Sequence, residues 1–231
     1  MGSSRLPGKT LLPLPLGGAV TLFEQILRRA GRATSVAVVV AALPDSPADD
    51  ALAAIAQQRG VAVFRGSEED VLARFAVAAA LHQLDVIVRL TGDNPALDPA
   101  FVDEAIGAHR AAAADYTIST GLPLGMNIEV IGRAALDAAH AEATAPADRE
   151  HVTSWLRARP DRFRLQTVAL ATATPQAAGL RMTVDYASDY ALQQVLYTTL
   201  GPDFSLSDIL DLLARHPWLA AINATNQQHT V

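Results

Sequence analysis

The stretch VAVFRGSEEDVLARFAVAAALHQLDVIVRL, which spans residues 61–90, decides the fold class. Its apolar runs at Val61–Phe64 and Val86–Leu90 predict two strands, and Glu68–Leu84 between them predicts a helix. Ser67 with Asp70 provides a helix start signal. Because continuous apolar runs are typical of strands buried on both faces, this β-α-β unit predicts parallel strands inside a sheet.

The same alternation of apolar runs and helical stretches continues on both sides of this unit. Further strands are predicted at Val36–Ala41, Asp115–Ser119, Asn127–Ile131, Leu165–Leu170 and Arg181–Val184. Helices are predicted at Leu22–Arg32, Pro47–Arg59, Pro99–Ala114, Arg133–Ala143, Asp148–Arg157, Ser188–Leu200 and Ser207–His216. We therefore predict one α/β domain over residues 1–231, a three-layer sandwich with a mostly parallel central sheet, whose polar segment from Asn223 frays.

The amino-acid composition excludes several classes of protein function. Half of the 231 residues are hydrophobic but only 5% are aromatic, so a large core must be built from Ala, Val, Leu and Ile. The formal net charge of −6 argues against a general binder of nucleic acids or anionic membranes. No apolar run is long enough for a membrane span, and no secretory signal opens the chain. The absence of cysteine excludes disulfides and thiol chemistry, and the cytoplasm is the simplest location.

A small, basic segment opens the chain at Ser3–Lys9. Its small residues allow backbone N–H groups to approach phosphate oxygens, and Arg5 and Lys9 supply positive charge. The alternative is a tail with scattered cations. The segment is not a P-loop, because Ser3 stands where that motif requires glycine.

Carboxylates follow two of the predicted strands. Asp93 comes after Val86–Leu90, in the sequence Thr91-Gly92-Asp93-Asn94-Pro95, and Asp185 follows Arg181–Val184. Ligands of open α/β sheets bind beyond the carboxyl ends of strands, where two carboxylates can share one divalent ion. The alternatives are an ordinary turn around Asp93 and a helix cap at Asp185. A further polar segment, Arg149–Thr153, can be either a site or a capped helix face.

Taken together, these segments resemble the cytidylyltransferases of spore coat polysaccharide biosynthesis, which are relatives of the CMP-KDO and CMP-sialic acid synthetases. The matching segments occur in order and the likeness extends to about Leu200; they are Met1–Lys9, Phe64–Arg74, Thr91–Pro95, Arg149–Thr153 and Thr183–Asp185. The resemblance implies a Rossmann-like, GT-A-like nucleotidyltransferase fold. It also implies transfer of CMP from CTP to an acidic or modified sugar, with release of pyrophosphate, for surface polysaccharide or glycan synthesis.

The resemblance also implies roles for individual residues. Asp93 and Asp185 are expected to hold Mg²⁺, and Arg5, Lys9 and Asp93 to be catalytic. Nucleotide binding is expected from Ser3, Ser4, Arg65, Ser67, Arg74, Thr91 and Gly92, and sugar binding from Glu129, Arg149 and His151. A homodimer is the expected assembly, without a nucleic acid or membrane partner.

The sequence departs from the family pattern in two places. The family has a hydrophobic strand ending in Gln-Ala-Arg before the position that is Met1 here, at the centre of the sheet. Without it, we expect the strands at Val36–Val40 and Val86–Leu90 to expose unpaired edges and the chain to be poorly stable and weakly active. Ala42-Leu43-Pro44 also replaces a polar segment involved in base recognition.

Two other functions stay open on the sequence alone. A sugar-nucleotide-dependent glycosyltransferase of the same fold would carry two closely spaced aspartates, which Asp93-Asn94-Pro95 does not provide. A truncated, non-catalytic remnant is favoured by the missing strand but opposed by the presence of Lys9, Asp93 and Asp185.

Overall fold

The computed structural model describes residues 5–171 and 174–228. Helices alternate with strands from Leu22 to Thr120, after which a further strand and then three helices follow one another. The helices are α1 (Leu22–Ala30), α2 (Asp50–Gln58), α3 (Val71–Leu81), α4 (Pro99–Ala111), α5 (Arg133–Glu142), α6 (Pro146–His151), α7 (Ser154–Arg157), α8 (Ala187–Leu200) and α9 (Leu206–Arg215). The strands are β1 (Val40–Pro44), β2 (Ala62–Gly66), β3 (Val86–Arg89), β4 (Tyr116–Thr120), β5 (Glu129–Gly132) and β6 (Leu165–Ala169).

Local sequence explains where several helices begin. Thr21 and Glu24 form a capping box at the start of α1, and Ser205 does the same with Asp208 at α9. Asp98 caps α4, whose first residue is a proline, and Pro is favoured at that position because its missing N–H has no partner there. These starts need no tertiary contact, which is why the sequence predicts them.

The strands form two separate sheets. β1 pairs with β2 in parallel, with Val40 opposite Ala62. The larger sheet has the order β3-β5-β4-β6, in which β5 runs antiparallel to β3 and β4, and β4 runs parallel to β6. The α/β prediction is therefore confirmed, with β5 as the antiparallel member of an otherwise parallel set.

Helices cover both faces of the larger sheet. One core packs α1, α4, α8 and α9 against one face, and a second core packs α3, α5 and α7 against the other. Val130 and Ile131 are fully buried and lie in different cores, because successive side chains of a strand point to opposite faces. A third core places α1 and α2 against β1. No helix in residues 5–171 and 174–228 combines the length and apolar character that a membrane crossing needs.

A cavity of about 640 Å³ separates the two sheets. Two strand edges line it, from residues 35–43 and from residues 84–92. The remaining walls come from apolar side chains on both sides, including Ile26 of α1, Phe75 of α3 and Ile106 of α4. β1 and β3 are not hydrogen-bonded neighbours in the described sheets. The unpaired edges expected from the sequence are therefore present, and they face one space bounded by helices above and below.

Four predicted elements need correction. The strand expected at Val36–Ala41 is β1, which begins at Val40 because its pairing with β2 starts there. Arg181–Val184 is not a strand but makes one isolated bridge, between Arg181 and Leu124. The helix expected at Asp148–Arg157 is divided into α6 and α7 by Val152, whose φ is 63°. The segment from Asn223 does not fray at its start, since Asn223 is buried and donates to Arg181 O and Asp189 Oδ1.

Candidate active site

Three residues that are far apart in the sequence meet beyond the carboxyl end of β3. Lys9 Nζ lies 3.2 Å from Asp93 Oδ2 and 3.0 Å from Asp185 Oδ1. It also donates a hydrogen bond of 2.6 Å to Val184 O. The structure thus brings together Lys9, Asp93 and Asp185, which the sequence singled out in separate segments.

The loop after β3 fixes the orientation of Asp93. Thr91 Oγ1 donates to Asp93 Oδ1 at 2.6 Å and accepts from Asn94 Nδ2 at 2.7 Å. The backbone N–H of Val184 donates to Asp93 O at 2.8 Å, which ties this loop to the segment before α8. Gly125 lies behind both segments, with φ of 91°, and a side chain there would meet Thr183 N at 2.5 Å. Asp93 therefore presents Oδ2 toward Lys9.

Asp185 is buried and is bound by cations on both carboxylate oxygens. Arg181 Nη2 lies 2.8 Å from Oδ2, and Arg5 Nη2 lies 3.1 Å from Oδ1, on the same side as Lys9. Arg5 also stacks on Tyr186, with the guanidinium carbon 4.9 Å from the ring centroid. The hydrogen bond to the Tyr186 hydroxyl raises the pKa of Arg5.

Asp189 fixes the positions of Asp185 and Arg181 through hydrogen bonds to both residues. It is fully buried and accepts hydrogen bonds from Asp185 N at 2.9 Å, Tyr186 N at 3.0 Å and Arg181 Nε at 2.9 Å. Burial by itself would raise the pKa of Asp189, but the bonds from Arg181 and the backbone hold it below its ordinary value. The carboxylate therefore stays charged in the core.

Residues 223–228 provide further hydrogen bonds to Asp189 and Arg181. Asn223 Nδ2 and Asn226 Nδ2 donate to Asp189 Oδ1 at 2.9 and 2.8 Å, and Arg181 Nη1 donates to Gln228 Oε1 at 2.9 Å. Sequence reasoning assigned no site role to Arg181, Tyr186, Asp189 or this segment. A carboxylate at the fourth position after Asp185, near the start of α8, was the available signal for Asp189.

The donors around Lys9 fit a divalent ion. Two carboxylate oxygens and one backbone carbonyl surround a single cationic centre. Among residues 5–171 and 174–228, no group of three or more His, Asp or Glu side chains could hold a metal by itself. Mg²⁺ is commonly bound by one or two carboxylates, with substrate phosphates completing its shell, and Asp93 and Asp185 supply that number.

The residues predicted to line the nucleoside pocket lie around the carboxyl ends of β1 and β2. Arg65 donates to Pro44 O at 2.7 Å and to Asp50 Oδ1 at 2.9 Å. Arg74 donates to Ser67 O at 2.5 Å, and Ser67 Oγ accepts from Asp70 N at 3.2 Å. These bonds order the two strand ends, and none of them reaches the Asp93–Asp185 pair. Ser3 and Ser4 lie outside the described residues.

Glu129 is the centre of a separate polar cluster. It accepts from Tyr116 Oη at 2.5 Å, Thr153 Oγ1 at 2.8 Å and Arg89 Nη1 at 2.6 Å. Burial, together with the neighbouring Glu129, raises the pKa of Tyr116. Arg89 stands directly opposite Glu129 in the β3–β5 register, so this ion pair extends from β3, the strand that leads to Asp93.

A strained turn joins this cluster to His151. Val152 has φ 63° and ψ −51°, and Thr153 N donates to His151 O at 2.6 Å, which together make a γ-turn. Positive φ is rare for a β-branched residue and is found mainly where surrounding structure enforces it. His151 Nε2 is buried without a hydrogen-bond partner among the described residues. The turn thus lies between Thr153, which donates to Glu129, and His151, whose Nε2 is unpaired among the described residues.

Arg149, unlike His151, has a hydrogen-bond partner for each of its three side-chain nitrogens. Its Nε donates to both Asp70 carboxylate oxygens at 3.0 Å, and its Nη1 donates to His140 O at 2.7 Å. Nη2 donates to Asp70 Oδ2 and lies 3.1 Å from His140 Nδ1. Arg149 is thus a link between the start of α3 and the end of α5.

Comparison with known proteins places this geometry in a family. The family model for cytidylyltransferases matches residues 1–212. The chain is 38% identical to the spore coat polysaccharide biosynthesis protein SpsF of Bacillus subtilis (strain 168) over 224 residues, which cover 94% of this chain and 92% of the relative. It is 29% identical to the 3-deoxy-manno-octulosonate cytidylyltransferase of Anaeromyxobacter sp. (strain K) over 216 residues, covering 90% and 85%.

A solved structure agrees over the whole length. The structure of a cytidylyltransferase from Leptospira borgpetersenii serovar Hardjo-bovis (strain JB197) superposes with a TM-score of 0.86 at 26% identity, and the match covers 100% of this chain and 95% of that one. The expected resemblance and the nucleotidyltransferase fold are thereby confirmed. The chain belongs to the cytidylyltransferase family.

Proposed function

We propose that this protein transfers CMP from CTP to an acidic sugar, with release of pyrophosphate and with Mg²⁺ as the metal. The observation that supports this most directly is the meeting of Lys9, Asp93 and Asp185 within 3.2 Å beyond the end of β3. Family membership supplies the cytidylyl group, and the names of the relatives point to an acidic sugar and to polysaccharide synthesis.

In this reaction, a sugar hydroxyl oxygen forms a bond to the α-phosphorus of CTP. The bond from that phosphorus to the bridging oxygen breaks, pyrophosphate leaves, and the hydroxyl proton passes to water. Asp93 and Asp185 would hold Mg²⁺, which neutralises phosphate charge when bound. Lys9 and Arg5 would neutralise the departing phosphates, because they place positive charge beside the position from which pyrophosphate leaves.

The remaining residues divide between nucleotide and sugar. We assign Ser3, Ser4, Thr91 and Gly92 to the phosphate loop region, and Arg65, Ser67 and Arg74 to the nucleoside side. Glu129 and His151 are assigned to the sugar side, because His151 Nε2 is a buried polar atom with no hydrogen-bond partner in residues 5–171 and 174–228. Arg149 is a positioning residue in this proposal, since its donors already bind Asp70 and the end of α5.

A non-catalytic remnant is the second candidate. The cavity of about 640 Å³ between β1 and β3 favours it, because no strand of the described residues pairs with these two facing edges. The intact contacts of Lys9 with both carboxylates oppose it.

Pyrophosphate release separates these candidates. The protein is incubated with CTP, ATP, GTP or UTP and a panel of acidic sugars, with Mg²⁺ or with a chelator. We expect release with CTP, dependent on one acidic sugar and abolished by chelation. Equal rates with all four nucleotides would contradict the cytidylyl assignment, and no release with any sugar would favour the remnant.

A further inference from the structure

The Lys9 ammonium group is saturated by the oxygens around it. An ammonium has three N–H donors, and here they face Asp93 Oδ2, Val184 O and Asp185 Oδ1 at 3.2, 2.6 and 3.0 Å. The Lys9 side chain is only 12% exposed. No donor is left for a phosphate in this arrangement, so Lys9 must release at least one of these oxygens before it can bind a nucleotide.

The same three oxygens are hard ligands of the kind that a divalent ion prefers. An ammonium and a metal ion cannot both occupy the centre that these atoms surround. Lys9 therefore stands at the position that the proposed metal would take.

The charges around this centre are already balanced. Among the residues that the structure describes here, Lys9, Arg5 and Arg181 carry three positive charges and Asp93, Asp185 and Asp189 carry three negative charges, so these six groups sum to zero. A divalent ion that entered alone would add two positive charges to a half-buried site. A triphosphate that entered with it would cancel them and give Lys9 and Arg5 new partners.

We propose that Lys9 is the resident cation of the Asp93–Asp185 site, and that it excludes divalent metal until a nucleoside triphosphate arrives. When the triphosphate binds, the Lys9 ammonium moves from the carboxylates to a phosphate and frees the metal position. Metal and nucleotide then bind with strong mutual dependence. This inference rests on the proposed metal role of Asp93 and Asp185.

The test measures Mn²⁺ binding without nucleotide, from the electron paramagnetic resonance signal of free Mn²⁺. The variants are Lys9→Met and Lys9→Gln, of which the glutamine keeps a donor for Val184 O. We expect both to bind Mn²⁺ more tightly than the unchanged chain, by about 5- to 150-fold, the usual range of coupling between two sites. In both, added CTP should raise Mn²⁺ affinity less than it does in the unchanged chain.

Arg32→Met is the matched control for the loss of one positive charge. Arg32 is 44% exposed and pairs with Asp203. This variant should bind Mn²⁺ as the unchanged chain does. Circular dichroism melting of each variant shows whether it is folded before its affinity is compared.

The outcomes separate this inference from the proposed function. If Mn²⁺ binds with CTP and Asp93→Asn abolishes that binding, but neither Lys9 variant binds Mn²⁺ alone more tightly, the resident-cation role is wrong and the metal site stands. If Asp93→Asn binds Mn²⁺ with CTP as well as the unchanged chain does, the metal site and the inference both fail.

Discussion

Asp93 and Asp185 have different surroundings although both face Lys9. Asp93 is 28% exposed at its side chain and is held by Thr91, whereas Asp185 is 7% exposed and also binds Arg181 and Arg5. The same substitution should therefore have different consequences at the two positions. Asp185 has a structural role as the buried partner of Arg181, although the N-cap of α8 is Tyr186 and not Asp185 as the helix-cap alternative expected.

We expect Asp93→Asn to lower turnover by about 10²-fold or more while the melting temperature stays close to that of the unchanged chain, because the variant loses a carboxylate proposed to hold Mg²⁺. Asp185→Asn should lower turnover similarly and also reduce the free energy of unfolding by about 1–3 kcal/mol, because Arg181 loses a buried partner. Turnover and thermal melting are measured on both variants.

Asp211→Asn, at an exposed position of α9, is the control for the loss of one carboxylate. It should change neither quantity. Full activity in Asp185→Asn with only a lower melting temperature would mean that Asp185 is solely structural.

At the scale of elements, the Arg149–Asp70 link joins α3 to the α5–α6 region. Asp70 is also the N-cap of α3, since its side chain accepts from Ala73 N. Burial would raise the pKa of Asp70, but the hydrogen bonds from Arg149 and Ala73 hold it below its ordinary value of 3.8. One carboxylate thus starts a helix and fastens it to its neighbours.

Because the pKa of Asp70 is lowered in the folded state, the free energy of unfolding should depend on pH. The stabilisation from Asp70 should be complete above pH 3.8, where the carboxylate is charged in both states, and should be lost as the pH falls below this value toward the folded pKa. We expect Asp70→Asn, which keeps the capping oxygen, to cost about 1 kcal/mol near pH 7 and progressively less in acid.

Denaturant unfolding from pH 7 to pH 2.5 checks this on the unchanged chain and the variant. Arg149→Met serves as the partner control, and its effect should fade over the same pH range. A difference between Asp70→Asn and the unchanged chain that stays constant with pH would show that the ion pair contributes nothing.

At the scale of the whole molecule, a cavity separates the edges of β1 and β3, which belong to two different sheets. Lys9 contacts Asp93, and Thr10 approaches Gly92, so the chain enters beside the carboxyl end of β3. A strand attached before Met1 would reach this point by running through the cavity between β1 and β3. It could then pair with both edges and bury the apolar lining.

We predict that extending the chain before Met1 with five β-branched residues and Gln-Ala-Arg raises both the melting temperature and CTP turnover. The melting temperature is expected to rise by at least about 5 °C, because each kcal/mol added to the free energy of unfolding corresponds to about 2–4 °C in a chain of this size. An extension of equal length made of Gly, Ser and Asn is the control. Identical melting temperatures for the two extensions would show that the cavity does not accept a strand.

The sequence predicted those parts of the molecule that depend on local pattern or on strand ends. The α/β alternation, the starts of α1 at Leu22 and of α4 at Pro99, and the position of Asp93 after β3 belong to this class. The helix expected from Ser207 begins at Leu206, with Ser205 as its N-cap. The direct contacts of Lys9 with Asp93 and Asp185 were not predicted, because they depend on the packing of three distant segments.

The late start of β1 could not be read from Val36–Val39, because it depends on which residues find a partner in β2. The γ-turn at Val152 likewise has no local signal, since tertiary contacts enforce its positive φ.

The contacts of Asp189 with Asn223 and Asn226 affect how the chain folds while it is being translated. On a ribosome, residues 181–189 emerge well before residues 223–228, which complete their support. Until those later residues are available, the buried Asp189 lacks two of its donors and Arg181 lacks Gln228. A nascent chain should therefore acquire nucleotide affinity late, after most of its helices and strands have already formed.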